Sequence, residues 1–239
     1  MTIIAPYTGD LFPRPAIIYD EIVPTEGPPM RVLVACEYSG TVRNAFLARG
    51  HDAWSCDLLP SDDGSNRHIR GDARNVLNDG WDLLMVAHPP CTRLCNSGIC
   101  WLTTPPPGKT KQQIWRELDE GAAFFSELWN AAIPKICMEN PIMHRHAKQR
   151  ITNYEPPAQT VHPWQFGDPM QKRVCLWLKE LQPLSPTKIV QLPKPTFCVR
   201  KTGDRAGKKY NYYFHQSKSG HERSRFFPGI AKAMAEQWG

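Results

Sequence analysis

The stretch RVLVACEYSGTVRNAFLARG, residues 31–50, decides the fold of this chain. Its first six residues, 31–36, are an apolar run rich in β-branched side chains, which predicts a buried strand. A turn over 37–40 follows, and apolar residues at helical spacing predict a helix over 41–49 that ends at Gly50. A strand, a turn with a glycine and a helix, in this order, are typical of an α/β fold.

The rest of the chain continues this alternation of strands and helices. Further strands are predicted at 51–57, 81–87, 133–139 and 174–178, and further helices at 115–132 and 229–238. Such alternation predicts a Rossmann-like α/β fold, a parallel sheet with helices on both faces. Ligands of these folds bind at the carboxyl ends of the strands, so five loops are expected in one cleft. They are residues 37–40, Asp57, Asp72, 88–95 and 139–141.

Composition narrows the class of protein. Of the 239 residues, 41% are hydrophobic and 22% are charged, which is typical of a globular chain with a sizeable core. No apolar run reaches the roughly 18–20 residues of a membrane span, and no signal peptide is visible, so we expect a cytoplasmic protein. The chain has 23 prolines, and those near the start predict an irregular N-terminal arm over 1–29.

Charge is concentrated near the C-terminus. Residues 185–225 contain ten Lys and Arg and two acids, a local charge of 10 − 2 = +8 against +6 for the whole chain. We therefore expect a polyanionic partner, with a small basic recognition segment at 185–223. The catalytic domain is expected to comprise 30–184 and 224–239. Lysines next to Tyr210 favour nucleic acid, because aromatic rings stack on bases.

Eight cysteines without a secretion signal are expected to be reduced thiols. Four of them lie in or beside apolar segments and are predicted core residues: Cys36, Cys56, Cys137 and Cys175. A zinc site is an alternative for a second group with irregular spacing: Cys91, Cys95, Cys100, His144 and His146.

Three motifs carry candidate chemistry. Cys91 follows a predicted strand and two prolines, which hold a nucleophile on a rigid loop. Glu139 ends another buried strand, where burial raises its pKa and suits it to proton donation. The segment FGDPMQKR, residues 166–173, leads a basic pair into a strand, and Arg173 is the candidate for a substrate carbonyl or phosphate.

In this order, these motifs resemble those of the DNA cytosine-5 methyltransferases. That family shows a Pro-Cys nucleophile loop, a Glu-Asn dipeptide after a strand, and an aromatic-Gly-x-Pro-Gln-x-Arg segment that runs into a strand. The matching residues here are Pro90-Cys91, Glu139-Asn140 and 166–173. The likeness extends over roughly 31–180, and the chain looks like a small, divergent, phage-like member.

The resemblance implies transfer of a methyl group from S-adenosylmethionine to C5 of cytosine in DNA, through a covalent adduct on Cys91. It implies catalytic roles for Glu139 and Arg173 and a methyltransferase fold. The cofactor-binding residues implied are Glu37, Tyr38, Ser39, Gly40, Asp57, Leu58, Asp72 and Pro89. The substrate-binding residues implied are Pro90, Asn140, Gln171, Lys208, Lys209 and Tyr210.

Two other functions are compatible with the same residues. The chemistry can act on a free cytosine nucleotide or a single strand, or use a modified cofactor. The chain can also be an inactive homologue that binds DNA. A monomer is expected, located in the host cytoplasm if the chain is encoded by a phage.

Overall fold

A computed structural model describes residues 27–192, 196–199, 206–212 and 225–239. Most of the expected arm, residues 1–26, and parts of the basic segment lie outside the described residues. The strands are β1 (Arg31–Ala35), β2 (Asp52–Asp57), β3 (His68–Arg70), β4 (Leu83–Val86), β5 (Lys135–Asn140), β6 (Gln159–Val161), β7 (Val174–Lys179), β8 (Thr196–Val199) and β9 (Lys209–Tyr212). The α-helices are α1 (Thr41–Leu47), α2 (Lys111–Trp129), α3 (Arg145–Lys148) and α4 (Pro228–Trp238). Short 3₁₀ helices span Ala73–Val76, Asn96–Leu102 and Pro163–Gln165.

Seven strands form one sheet in the order β3-β2-β1-β4-β5-β7-β6, and β8 and β9 form a separate antiparallel pair. The α/β class is confirmed, and the first five strands are parallel. The prediction of an entirely parallel sheet is wrong, because β7 runs antiparallel to both β5 and β6. No α-helix lies between β6 and β7 to carry the chain back across the sheet, so β7 returns from the end where β6 stops.

The strands are buried on both faces of the sheet. In β1, Leu33 and Ala35 belong to the core under α2, whereas Val32 and Val34 belong to the core under α1 and α4. Alternate residues of a strand point to opposite faces, so helices on both sides are needed to cover an apolar run such as this one. The prediction of helices on both faces is therefore confirmed.

Helix α2 begins earlier than its apolar pattern predicts. Thr110 accepts the backbone N–H of Gln113, and the Gln113 side chain accepts the N–H of Thr110 in return. This reciprocal capping box satisfies two backbone donors and starts the helix at Lys111 instead of Trp115. The short strands β3 and β6, with three residues each, were not predicted, because such short segments carry little periodicity.

The C-terminal helix is joined to the segment before β7. The carboxylate of Asp168 accepts the N–H of Gly229 at 3.0 Å, in the first turn of α4. A Cβ atom on Gly229 would lie 1.9 Å from the carbonyl oxygen of Phe166, so only glycine fits there. Residues 225–239 are thereby packed against the main body. Among the described residues, no helix is long and apolar enough to cross a membrane.

Candidate active site

The site lies where the strand order changes direction. Strands β2 and β3 lie on one side of β1, and β4 and β5 lie on the other. The connections that leave β1 and β4 therefore run to opposite sides of the sheet. Open α/β sheets form a crevice for ligands at the carboxyl ends of two such strands. Because β7 is reversed, residues 171–173 come just before it at this same edge of the sheet.

The turn after β1 caps the N-terminus of α1. Glu37 is buried, and its carboxylate accepts the N–H groups of Val42 at 2.7 Å and Arg43 at 3.1 Å. Burial raises the pKa of Glu37 to about 7, against the opposing effect of these two hydrogen bonds. The Ser39 hydroxyl lies 3.4 Å from the same carboxylate. Two of the expected cofactor residues are thus engaged within the protein.

Gly40 and Tyr38 complete this turn. Gly40 has a φ of 71°, a left-handed conformation that favours glycine, and the Arg43 guanidinium fills the space that a Cβ would need. Tyr38 is buried, and its carbonyl oxygen accepts the N–H of Asp62. Neither residue needs a ligand to explain its position.

A cavity of about 750 Å³ lies beside the carboxyl ends of β1–β4. Three expected cofactor residues line it: Asp57, Leu58 and Asp72. Asp72 pairs with Arg74, and this hydrogen bond holds the pKa of the Asp72 carboxyl below its usual range. One Asp57 oxygen accepts the N–H of Leu59 at 2.9 Å. Glu37, Tyr38, Ser39, Gly40 and Pro89 are not among the lining residues.

Two cysteines also face this cavity. Cys36 is only half-buried and lines the wall, which corrects its prediction as a core residue. Its φ of 57° turns the chain sharply at the end of β1. Cys56 also lines the cavity but is fully buried, and burial raises its pKa to about 11. Cys56, Cys137 and Cys175 are buried as predicted.

The nucleophile loop follows β4 directly. Pro89 is buried and Pro90, which lines the cavity, is exposed, so Cys91 starts from a fixed position at the cavity rim. The carbonyl oxygen of Cys91 accepts the N–H groups of Leu94 and Cys95, both at 3.0 Å. The pKa of the Cys91 thiol is raised by the neighbouring Cys95, by burial and by the nearby Glu139.

Glu139 forms the centre of a buried ionisable group. It is 6% exposed, and burial raises its pKa to about 7 in spite of the opposing charge of Lys172. The Nδ1 atom of His88 lies 4.0 Å from Glu139 Oε2, and burial lowers the pKa of His88 to about 3. Below neutral pH, a largely protonated carboxyl therefore lies beside a neutral imidazole. Phe226 packs against His88 with ring centroids 5.5 Å apart.

Asn140 follows Glu139 and is fully buried. Within the described ranges, neither its Nδ2 nor its Oδ1 has a hydrogen-bond partner, and His88 Nε2 also lacks one. Buried polar groups in proteins are rarely left unpaired, because an unmade hydrogen bond costs about 1–3 kcal/mol. The unpaired atoms of Asn140 and His88, beside Glu139, make this part of the sheet edge a candidate position for a polar ligand.

The segment before β7 brings a different cation to the site than expected. Gln171 and Arg173 are exposed, whereas Lys172 is half-buried, and its charge acts on both Glu139 and His88. The Lys172 ammonium lies 5.1 Å from the ring centroid of Phe227, in a cation–π contact. The sequence placed the loop 88–95 at the cleft and a basic pair before β7, but neither His88 nor Lys172 was given a role. No sequence pattern distinguishes Lys172 from Arg173 here, because both residues precede β7.

Little of the basic segment can be placed relative to this site. Lys208 is exposed, and Lys209 and Tyr210 lie in β9, paired with Val199 and Cys198 of β8. The side chains of Lys209 and Tyr210 lie outside the part of the chain that the structure describes.

The zinc alternative has no support in the part of the chain that the structure describes. No group of three or more His, Cys, Asp or Glu is placed there to hold a metal ion. His144 uses both ring nitrogens internally: Nδ1 accepts the N–H of Ala147, and Nε2 lies 2.7 Å from the Arg93 carbonyl.

No protein-family model matches the chain, and no curated protein matches it either. The fold and the site therefore define its class by themselves: an α/β protein with a mostly parallel, Rossmann-like sheet and a ligand cavity at its switch point.

Proposed function

We propose that the protein transfers a methyl group from S-adenosylmethionine to C5 of cytosine in DNA, through a covalent adduct on Cys91. One observation carries the proposal. A cysteine on a rigid loop, a buried carboxylic acid with a raised pKa and an unpaired buried amide meet at one edge of the sheet, beside a cavity. A cytosine edge needs both a donor for N3 and an acceptor for its amine. Glu139 and Asn140 supply these groups.

The cavity fits S-adenosylmethionine in size and chemistry. Its volume is within the range of about 300–1,000 Å³ typical of small-molecule sites. Leu58 and Phe124 offer apolar walls for an adenine ring, and the free oxygen of Asp57 suits ribose hydroxyls. The cofactor, when bound, supplies an electrophilic methyl group. Gly40 and Glu37 act indirectly, by fixing the turn between β1 and α1.

The protein's own residues prepare the cytosine ring. Cys91 releases its thiol proton to water and its sulfur adds to C6, which breaks the aromaticity of the ring and makes C5 nucleophilic. Protonated Glu139 donates to N3 and stabilises the negative charge that develops as the sulfur adds. Asn140 binds the exocyclic amine through its amide oxygen. Lys172, with its charge near Glu139, favours the carboxylate that remains after the proton has moved.

DNA as the substrate rests on the charge of the chain and on the resemblance. The basic segment at 185–223, including exposed Lys208, would neutralise phosphates and make binding dependent on salt. A cytosine in a duplex must flip out of the stack to reach Cys91, at a cost of a few kcal/mol. Arg173 and Gln171 are exposed at the edge of the site, and we assign them to the DNA backbone around the flipped base.

The test is an adduct trap. The protein is mixed with S-adenosylmethionine and DNA that contains 5-fluorocytosine, whose fluorine blocks the final elimination. We expect a protein–DNA band that survives denaturation, and a digest in which the modified peptide contains Cys91. Cys91→Ala should abolish the band. Cys100→Ala is the matched control, because Cys100 is exposed on the same loop and should leave the band unchanged.

Calorimetry with S-adenosylmethionine separates the possible failures. Cofactor binding without a duplex adduct contradicts the duplex substrate, and the trap is then repeated with single strands and free nucleotides. Absence of both binding and adduct contradicts the enzymatic proposal and favours the inactive DNA-binding homologue.

A further inference from the structure

A second concentration of positive charge lies on the expected catalytic domain itself. Residues 141–154 contain three Lys and Arg, two His and no acid. Outside 185–225, the chain has 29 − 10 = 19 Lys and Arg against 23 − 2 = 21 acids, so a basic stretch without acids stands out there. We call its exposed and half-buried basic side chains the α3 patch: Arg145, His146, Lys148 and Arg150.

The α3 patch adjoins the nucleophile loop. His144 directly precedes the patch, and its backbone N–H donates to the Leu94 carbonyl at 3.0 Å. The Nε2 atom of His144 also lies 2.7 Å from the Arg93 carbonyl oxygen. The patch thus begins shortly after Asn140 and lies at the same edge of the sheet as the proposed reaction site.

Two cations of the α3 patch are available to an anion. Arg145 and Lys148 are exposed, and within the described ranges neither forms an ion pair with a carboxylate. The Arg145 Nε donates to the His146 ring at 3.3 Å, and the Lys148 ammonium lies 5.9 Å from the Tyr154 ring centroid. These ring contacts leave both positive charges without a negative partner in the described part of the chain.

The rest of the patch is packed against α2. The Arg150 guanidinium pairs with Asp119 and lies 5.0 Å from the Trp115 ring centroid. The Trp115 ring meets the His146 ring edge-on, with centroids 5.3 Å apart. These contacts fix the segment 145–150 on the protein. A surface that is already ordered loses less conformational entropy when it binds a partner.

The α3 patch and the basic segment at 185–223 lie toward different faces of the sheet. Ala147 and Ile151, beside the patch, belong to the core under α2. Leu184 and Phe226, just before and after the basic segment, belong to the core under α1 and α4. The proposed reaction site at the ends of β4 and β5 therefore lies between the α3 patch and the points where the basic segment leaves and rejoins the body.

We propose that the α3 patch is a second DNA-binding surface, in which Arg145 and Lys148 bind phosphates of the strand that carries the target cytosine; this inference rests on the proposed function. Lys and Arg side chains are regular donors to phosphate oxygens. With basic residues on both sides of the site, the strand is held on either side of the flipped base. Binding at the patch is independent of base sequence, because phosphate contacts position DNA and do not read it.

The test is the salt dependence of DNA affinity. Binding of a mixed-sequence duplex is measured by fluorescence anisotropy at a series of salt concentrations, for the wild type and for Arg145→Gln/Lys148→Gln. Each phosphate contact contributes about 0.9 to the slope of log Kd against log salt concentration, so the double variant should lose about 2 from this slope. At about 0.1 M salt its Kd should be roughly 10- to 100-fold weaker. Both side chains are exposed, so the midpoint of urea denaturation should not change.

Lys135→Gln/Lys179→Gln is the matched control. It removes the same net charge at the opposite edge of the sheet, since Lys135 begins β5 and Lys179 pairs with Ile136. The control should keep the wild-type slope. An equal loss of slope in both double variants reports net charge alone and overturns the proposal. An unchanged slope in Arg145→Gln/Lys148→Gln overturns it as well.

The adduct trap separates this inference from the proposed function. A wild type that forms the adduct, together with a double variant that keeps its slope, contradicts the role of the α3 patch alone. A slope that depends on the patch in a wild type that forms no adduct contradicts methyl transfer and leaves the DNA-binding surface supported. A wild type that does not bind DNA contradicts both.

Discussion

Two neighbouring parts of one sheet edge treat their buried polar groups in opposite ways. After β1, the Glu37 carboxylate is bonded to the start of α1, and buried Arg43 bonds Ser55 Oγ at 2.8 Å and the Asp63 carboxylate. At the ends of β4 and β5, Asn140 and His88 Nε2 lack partners among residues 27–192 and the other described ranges. The buried polar groups after β1 are hydrogen-bonded within the protein, whereas those at the ends of β4 and β5 are not.

This difference separates structural from functional polarity. A buried charge with a complete set of hydrogen bonds stabilises one arrangement of the backbone and needs no ligand. An unpaired buried amide makes the folded state less stable, by about 1–3 kcal/mol, until a ligand bonds it. Proteins tolerate such local costs at functional sites. We therefore infer that β1 and its turn support the site and that β4 and β5 hold the reacting base.

The largest expected effect on stability comes from removing a hydrogen-bonded buried side chain in the part after β1. Arg43 is fully buried, and Arg43→Met would leave Asp63 and Ser55 without their cationic partner. We expect a loss of about 3–5 kcal/mol in the free energy of unfolding, measured by urea denaturation. Arg116→Met is the control, since Arg116 forms only an exposed pair with Glu120 and should change stability by less than about 1 kcal/mol. A loss that small for Arg43→Met would contradict the structural role.

The free energy of unfolding is expected to depend on pH through Glu139. Burial raises its pKa from 4.5 to about 7, so the folded state keeps a proton that the unfolded chain releases in this range. Its contribution to stability is fully present below pH 4.5 and is lost as the pH rises through 7. Glu139→Gln cannot ionise, so its stability relative to the wild type should increase with pH, by on the order of 3 kcal/mol in total.

Urea denaturation at a series of pH values measures this difference. Glu120→Gln, which changes an exposed carboxylate, should show a small difference from the wild type that hardly varies with pH. A Glu139→Gln difference that is flat between pH 5 and 8 would show that Glu139 is ionised in the folded protein. The proton donation to N3 would then be excluded.

The sequence predicted the parts of this site that depend on local pattern. Apolar runs located the five main strands, and residues after them, such as Asp57 and Cys91, do lie at one edge. It could not predict the reversal of β7, because strand direction depends on the path of the chain and not on periodicity. For the same reason, Arg173 was preferred over Lys172, whose approach to Glu139 follows from packing against Phe227. The role of Arg43 was also missed, since its partners are 12 and 20 residues away.

The smallest expected effect has the opposite sign to the first. Asn140→Leu keeps the approximate shape of the side chain and removes two buried polar groups that have no partner in the described part of the chain. We expect the free energy of unfolding to stay equal or to rise by about 1 kcal/mol, while adduct formation is lost. Asn130→Leu is the control, because the Asn130 amide donates to the carbonyls of Ser126 and Thr152. It should lower stability by about 1 kcal/mol and leave adduct formation intact.

A stabilising change that removes activity is the signature expected of a group whose hydrogen bonds are made by the substrate. If Asn140→Leu instead destabilises the protein by more than about 1 kcal/mol, the Asn140 amide is satisfied within the fold. Asn140 would then no longer distinguish the two parts of the edge, and the proposed site would rest on Cys91 and Glu139. If stability rises and adduct formation also survives, the amide takes no part in the reaction, and Glu139 alone has to recognise the cytosine edge.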